Sequence, residues 1–106
     1  MTPHAKLPRI PAELRPLLKT YVDQASRLAH VQRILLAPSD DGYRLWTVID
    51  APPFDSQPRH EVYNAEQEAL QAHDETVDFR LINAGEVAEL DLVLPLDSVE
   101  LFRRDA

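Results

Sequence analysis

Tyr43-Arg44-Leu45-Trp46-Thr47-Val48-Ile49, then Gln57-Pro58-Arg59-His60-Glu61-Val62 running on to His73, then Val77-Asp78-Phe79-Arg80-Leu81-Ile82: these stretches decide the fold. The first and last are rich in β-branched and aromatic residues and alternate in character, which predicts strands. The middle one carries Val62, Ala65, Ala69, Leu70 and Ala72 at helical spacing, which predicts an amphipathic helix. Its other face, Glu61, Asn64, Glu68, Gln71 and Glu75, is polar and reads as solvated. Strand, helix and strand in that order make a crossover unit. The connection entering the helix is Asp50-Ala51-Pro52-Pro53-Phe54-Asp55-Ser56. It has no glycine to let backbone N–H groups close on a phosphate, and its prolines offer no N–H. A phosphate cradle is not expected there.

Upstream, Pro11 opens a helix in which Leu14, Leu17, Leu18, Tyr21, Val22, Ala25, Leu28 and Ala29 form one apolar stripe. Pro16 interrupts it, so the helix either starts near Pro16 after a short first turn or kinks there. Lys19, Asp23 and Arg27 alternate in sign on another face. Val31–Ala37 reads as a strand. Pro38-Ser39-Asp40-Asp41-Gly42 reads as a turn with positive φ at Gly42, which returns Tyr43–Ile49 antiparallel. Downstream, residues 86–96 suit a helix or a strand, and Pro95 stops either. Asp97 with Glu100 suits a capping box for a short terminal helix, and Val99–Phe102 suits an edge strand.

The expected architecture is a small α+β domain spanning residues 11–106, preceded by a flexible arm over 1–10. Its core order is α-β-β-α-β, a two-layer α/β sandwich with a three- to four-stranded mixed sheet and a C-terminal appendage. Leu18, Val22 and Phe79 are expected between the helices and the sheet. With 106 residues, 44% of them apolar, one core is affordable.

Composition narrows function by exclusion. The net charge is −7, with two lysines and nine arginines, only Arg103 and Arg104 adjacent. That balance opposes binding to nucleic acid or to anionic lipid. There is no cysteine, so thiolate metal sites and disulfides are excluded and a reducing compartment is expected. No apolar run approaches the length of a membrane span, and the first residues lack a signal-peptide core. A cytoplasmic protein is expected. His4, His30, His60 and His73 have no metal-ligand spacing, and Ser26, Ser39, Ser56 and Ser98 sit in no nucleophile elbow. No catalytic residue, metal or cofactor is expected, ATP–magnesium and zinc included.

The strand alternation gathers Arg44, Trp46, Asp50, Asp78 and Arg80 on the sheet face away from the helices, with Val48 and Ile82 among them. Three readings follow, of which a catalytic site is the least favoured. The charged residues pair across strands while the C-terminal segment folds over Trp46. Or the face is a recognition surface for a protein partner, most simply a second copy, since Trp and Arg dominate interfaces.

The element order resembles the minimal core of polymerase-β-type nucleotidyltransferases over residues 31–82. In that family a Gly-Ser follows the first strand, an Asp-x-Asp lies on the second, and a third carboxylate on the next binds the metal pair. Leu35-Leu36-Ala37-Pro38-Ser39 occupies the Gly-Ser region without its glycine. Val77-Asp78-Phe79 fits the third-carboxylate pattern. The Asp-x-Asp is missing, and only Asp50 lies on the same face. The resemblance implies a degenerate, non-catalytic relative that binds a nucleotide or acts as an antitoxin-like partner. In length the chain also resembles small bacterial proteins. The leading expectation is a non-enzymatic interaction module that self-associates through its open sheet face.

Overall fold

A computed structural model describes residues 10–104. Of the expected arm, residues 1–9 lie outside the described residues, while Ile10 packs against the core. A 3-10 turn at Ala12–Leu14 leads directly into helix α1, Arg15–Ala25. Pro16 therefore falls in the first helical turn, where its missing N–H breaks no bond. Of the two readings offered by the sequence, the short first turn is the one adopted. The apolar stripe continues past Ala25, but the helix does not. Arg104 donates to the carbonyls of Ser26, Leu28 and Val31 at 2.8–2.9 Å, tying the chain that leaves the helix to the C-terminal end of the last strand.

Strand β1, Val31–Ser39, pairs antiparallel with β2, Gly42–Ile49, across a two-residue Asp40-Asp41 turn. The turn is thus tighter than the five residues expected, with Pro38 paired to Tyr43 inside the ladder and Gly42 at φ 143°. Helix α2, Gln57–Ala72, follows, and β3, Asp78–Asn83, pairs parallel with β2. A 3-10 turn at Ala84–Glu86 and the one-turn helix α3, Leu90–Val93, precede β4, Val99–Arg103. The terminal segment is thus the edge strand. β4 pairs antiparallel with β1, so the mixed open sheet has the order β3-β2-β1-β4. Pro38 lies beyond the last β1–β4 pair, Leu36 with Val99, where no neighbouring strand needs its missing N–H.

The main core lies between the helices and one sheet face. Leu17, Leu18, Tyr21 and Ala25 of α1 and Val62, Ala65 and Ala69 of α2 meet Ile34, Leu36, Leu45 and Ile49. Val22 and Phe79 contribute from its border and are only partly buried, because β3 is an edge strand and α1 turns Val22 toward the rim. No described helix is long and apolar enough to cross a membrane.

Candidate functional site

The second sheet face is built by the same alternation that builds the core. β1 contributes Leu35, β2 Arg44, Trp46 and Val48, and β3 Asp78, Arg80 and Ile82. Parallel pairing sets Arg44 beside Asp78 and Trp46 beside Arg80. Arg44 Nε donates to Asp78 Oδ2 at 2.9 Å, and Arg80 donates to the same oxygen through Nε and Nη2 at 3.2 and 3.0 Å. Hydrogen bonds from Arg80 first, and then from Arg44, hold the Asp78 carboxyl below the usual range.

A matching cluster stands on the other side of the face. Glu100 of β4 accepts from Arg33 Nε at 2.7 Å and from Arg103 Nε and Nη2 at 2.8 and 3.1 Å. Arg103 and then Arg33 lower the Glu100 pKa in the same way. The Asp78 cluster sets two guanidiniums against one carboxylate, a local positive excess in a chain of net charge −7. Exposed pairs of this kind contribute only about 0–1 kcal/mol each to stability. Their consequence is a basic surface with fixed side chains. Arg33, Glu100 and Arg103 were missed in the sequence because their meeting depends on β4 joining β1.

Between the clusters the face is apolar, and it is not open as expected. Leu94 is buried against Leu35 and Val48, with Leu90, Ala84, Trp46 and Ile82 around them. The physical reason is that β1 and β2 are apolar on both faces: Ile34, Leu35, Leu36 and Ala37 are all buried in succession. The segment from Ala84 to Leu94 is the cover. Trp46 is half-buried beneath its border, and its indole N–H is shielded with no acceptor among the described residues. The cover turns other aliphatics outward. Leu92, Val93 and Leu96 are 80%, 48% and 101% exposed.

Asp50 does not join this group. It follows β2, whereas Asp78 opens β3 opposite Arg44, so the two lie about 20 Å apart along the parallel pair. They do not share a site. Asp50 instead belongs to a junction at the carboxyl ends of β2 and β3. Its backbone pairs with His30, whose Nδ1 lies 2.9 Å from the Asp50 carbonyl oxygen. Beside it, buried Asn83 accepts from Ala51 N–H at 3.1 Å and Gly85 N–H at 3.0 Å through Oδ1. Its Nδ2 donates to the Ala51 carbonyl at 3.0 Å. A Cβ at Gly85 would come within 3.0 Å of that carbonyl, so glycine permits the close approach. In parallel α/β pairs this end is where ligands bind; here an asparagine side chain fills it. The start of α2 is likewise engaged, with Asp55 Oδ1 accepting from Gln57 N–H at 3.1 Å. Among the described residues, no group of three or more His, Asp or Glu side chains is placed to hold a metal ion.

One titratable group stands apart. Glu66 of α2 lies in a groove of about 430 Å³ with Val62, Tyr63 and Leu81, and burial raises its pKa to about 7. A carboxyl with a raised folded-state pKa binds more protons folded than unfolded. Its ionisation therefore costs stability progressively between about pH 4.5 and 7, and the cost is constant above that. Allowing for its partial exposure to solvent, the cost is about 1–2 kcal/mol. Glu66→Gln should match the wild type near pH 4.5 and exceed it by that amount at pH 8. Chemical denaturation at both pH values measures this, and equal differences at the two would sink the assignment.

Comparison with protein-family models, with curated proteins and with solved structures finds no match to this chain.

Proposed function

We propose that this protein is a non-enzymatic interaction module of the cytoplasm that self-associates through the segment covering the second face of its sheet and the arginine strip beside it. The observation that carries the reading is the exposure of Leu92 and Val93 on the segment covering that face and of Leu96 just beyond it. Large aliphatics clustered within five residues beside a half-buried tryptophan form the kind of patch that marks an interaction site. The flanking arginines supply the polar rim of such a surface. A chain without cysteine suits a reducing compartment.

Sedimentation tests the reading. The wild type should run at about twice 12.1 kDa, and the double variant Leu92→Glu/Leu96→Glu should run as a monomer with an unchanged circular dichroism spectrum, since a charge there would be buried unpaired. A monomeric wild type at 100 μM or above would end the proposal.

A second reading is a degenerate nucleotidyltransferase-like protein that binds a nucleotide or serves as an antitoxin-like partner. The β2 residue beside Asp78 is Arg44, so a guanidinium stands where a metal-binding pair would need a second carboxylate. That contact favours a form without metal-dependent transfer. In the same samples, a melting temperature raised several degrees by ATP and magnesium, and restored to baseline by Asp78→Asn, would promote this reading over the first.

A further inference from the structure

From Leu81 to Phe102 the chain contains no lysine, arginine or histidine, yet it carries Glu86, Glu89, Asp91, Asp97 and Glu100. Arg59 binds Glu86 at 2.9 Å, and Glu100 sits between Arg33 and Arg103. Glu89 and Asp97 are exposed and flank the exposed Leu92, Val93 and Leu96. The cover is thus an acidic and aliphatic ridge. Immediately beside it on the same face lies the strip of Arg44, Trp46 and Arg80, whose guanidiniums share one carboxylate and leave a positive excess. Ridge and strip are opposite in charge, and both present apolar area. Among the described residues, neither Glu89 nor Asp97 forms an ion pair with Arg44 or Arg80 of its own chain.

Resting on the self-association proposed above, we infer that the second copy docks reciprocally, the acidic ridge of each copy lying on the Arg44–Trp46–Arg80 strip of the other about a two-fold axis. A surface that carries a patch and its complement side by side is self-complementary in this way. Patch i meets patch j and j meets i, the contact closes, and no unpaired end remains to grow a filament. The arginines fix register and partner choice, and Leu92 and Leu96 against Trp46 supply the apolar area.

The experiment uses two charge-reversed full-length variants, Arg80→Glu and Glu89→Arg/Asp97→Arg. Alone, each sets like charges against each other at both contacts, so its dimer should weaken at least about tenfold. Mixed in equal amounts they should form a heterodimer, because the reversed strip of one meets the reversed ridge of the other and the two native patches meet as well. Native mass spectrometry reads the heterodimer directly, and circular dichroism confirms that each variant is folded. Should a reversed variant not fold, Arg80→Gln and Glu89→Gln are expected to weaken the wild-type dimer several-fold and to flatten its salt dependence. A dimeric wild type whose reversed variants dimerise unaltered, or whose variants fail to recombine, overturns the docking mode and leaves self-association standing. A monomeric wild type overturns both.

Discussion

Tyr21→Ala should cost about 4 kcal/mol of folding stability. Tyr21 of α1 is fully buried, and it reaches two strands at once. Its hydroxyl hydrogen-bonds the buried Thr47 hydroxyl of β2, and its ring lies 5.0 Å from that of Phe79 on β3 with a 55° tilt. Burial pushes the phenol pKa up, so the group stays neutral and the hydrogen bond persists through the accessible pH range. Removing the ring forfeits apolar burial, leaves a cavity and strips Thr47 of its partner. Domains of this size hold about 5–15 kcal/mol, so such a loss is a large part of the total. Urea unfolding at constant m-value measures it. The hydroxyl part separates in a cycle of Tyr21→Phe and Thr47→Val. Each single change should cost about 1–2 kcal/mol and the double change less than their sum, because the pair is lost only once. A loss under about 1 kcal/mol for the alanine variant would show that Tyr21 does not anchor the helix.

Asn83→Ala should cost about 3 kcal/mol, although it deletes no apolar area. Asn83 is 4% exposed, and it satisfies both backbone groups of Ala51, itself 6% exposed. Without it a buried N–H and a buried C=O lose their partners, each at about 1–3 kcal/mol, and the Gly85 N–H loses its acceptor. Asn83→Asp is the sharper test. It keeps the acceptor but replaces the Nδ2 donor with a carboxylate oxygen facing the Ala51 carbonyl, so it should be no milder than alanine. Thermal and urea unfolding decide. Wild-type stability in Asn83→Asp would mean that the amide orientation is not what holds the junction.

Both sites show where the sequence was readable. The helices, the first three strands and the resulting α+β fold follow from periodicity and turn residues, since each is specified within ten to twenty consecutive positions. Thr47 and Tyr21 fall on the correct faces by counting alone. Asn83 reads merely as the end of a strand, because Ala51, whose backbone it satisfies, lies 32 residues away in the connection after β2. Burial of the second face was legible in principle: four consecutive apolar residues, Ile34 to Ala37, mark a strand covered on both sides, and all four are buried. The C-terminal quarter was least legible. Leu90 and Leu94 stand four apart because one helical turn brings both onto the face shared by Leu35 and Val48. Asp97 and Glu100 form no capping box because Val99–Arg103 is a strand with no helix to cap, and the Glu100 carboxylate goes to Arg33 and Arg103 instead. Of the five residues gathered on one face by alternation, Arg44, Trp46, Asp78 and Arg80 do come together, and Asp50 is removed by the length of the strand.

The position of β1 between β2 and β4 carries a kinetic consequence. On one side β1 meets its neighbour across two residues, and that hairpin can close within microseconds. On the other it waits for a strand about sixty residues later, whose arrival requires α2, β3 and the covering segment to be out of the way or in place. Long-range pairing of this sort slows barrier crossing, while the entropy of the closed loop grows only logarithmically with its length. The β1–β4 seam is therefore the pairing expected to close last, and until it closes the leucine-rich flank of β1 lacks its neighbour.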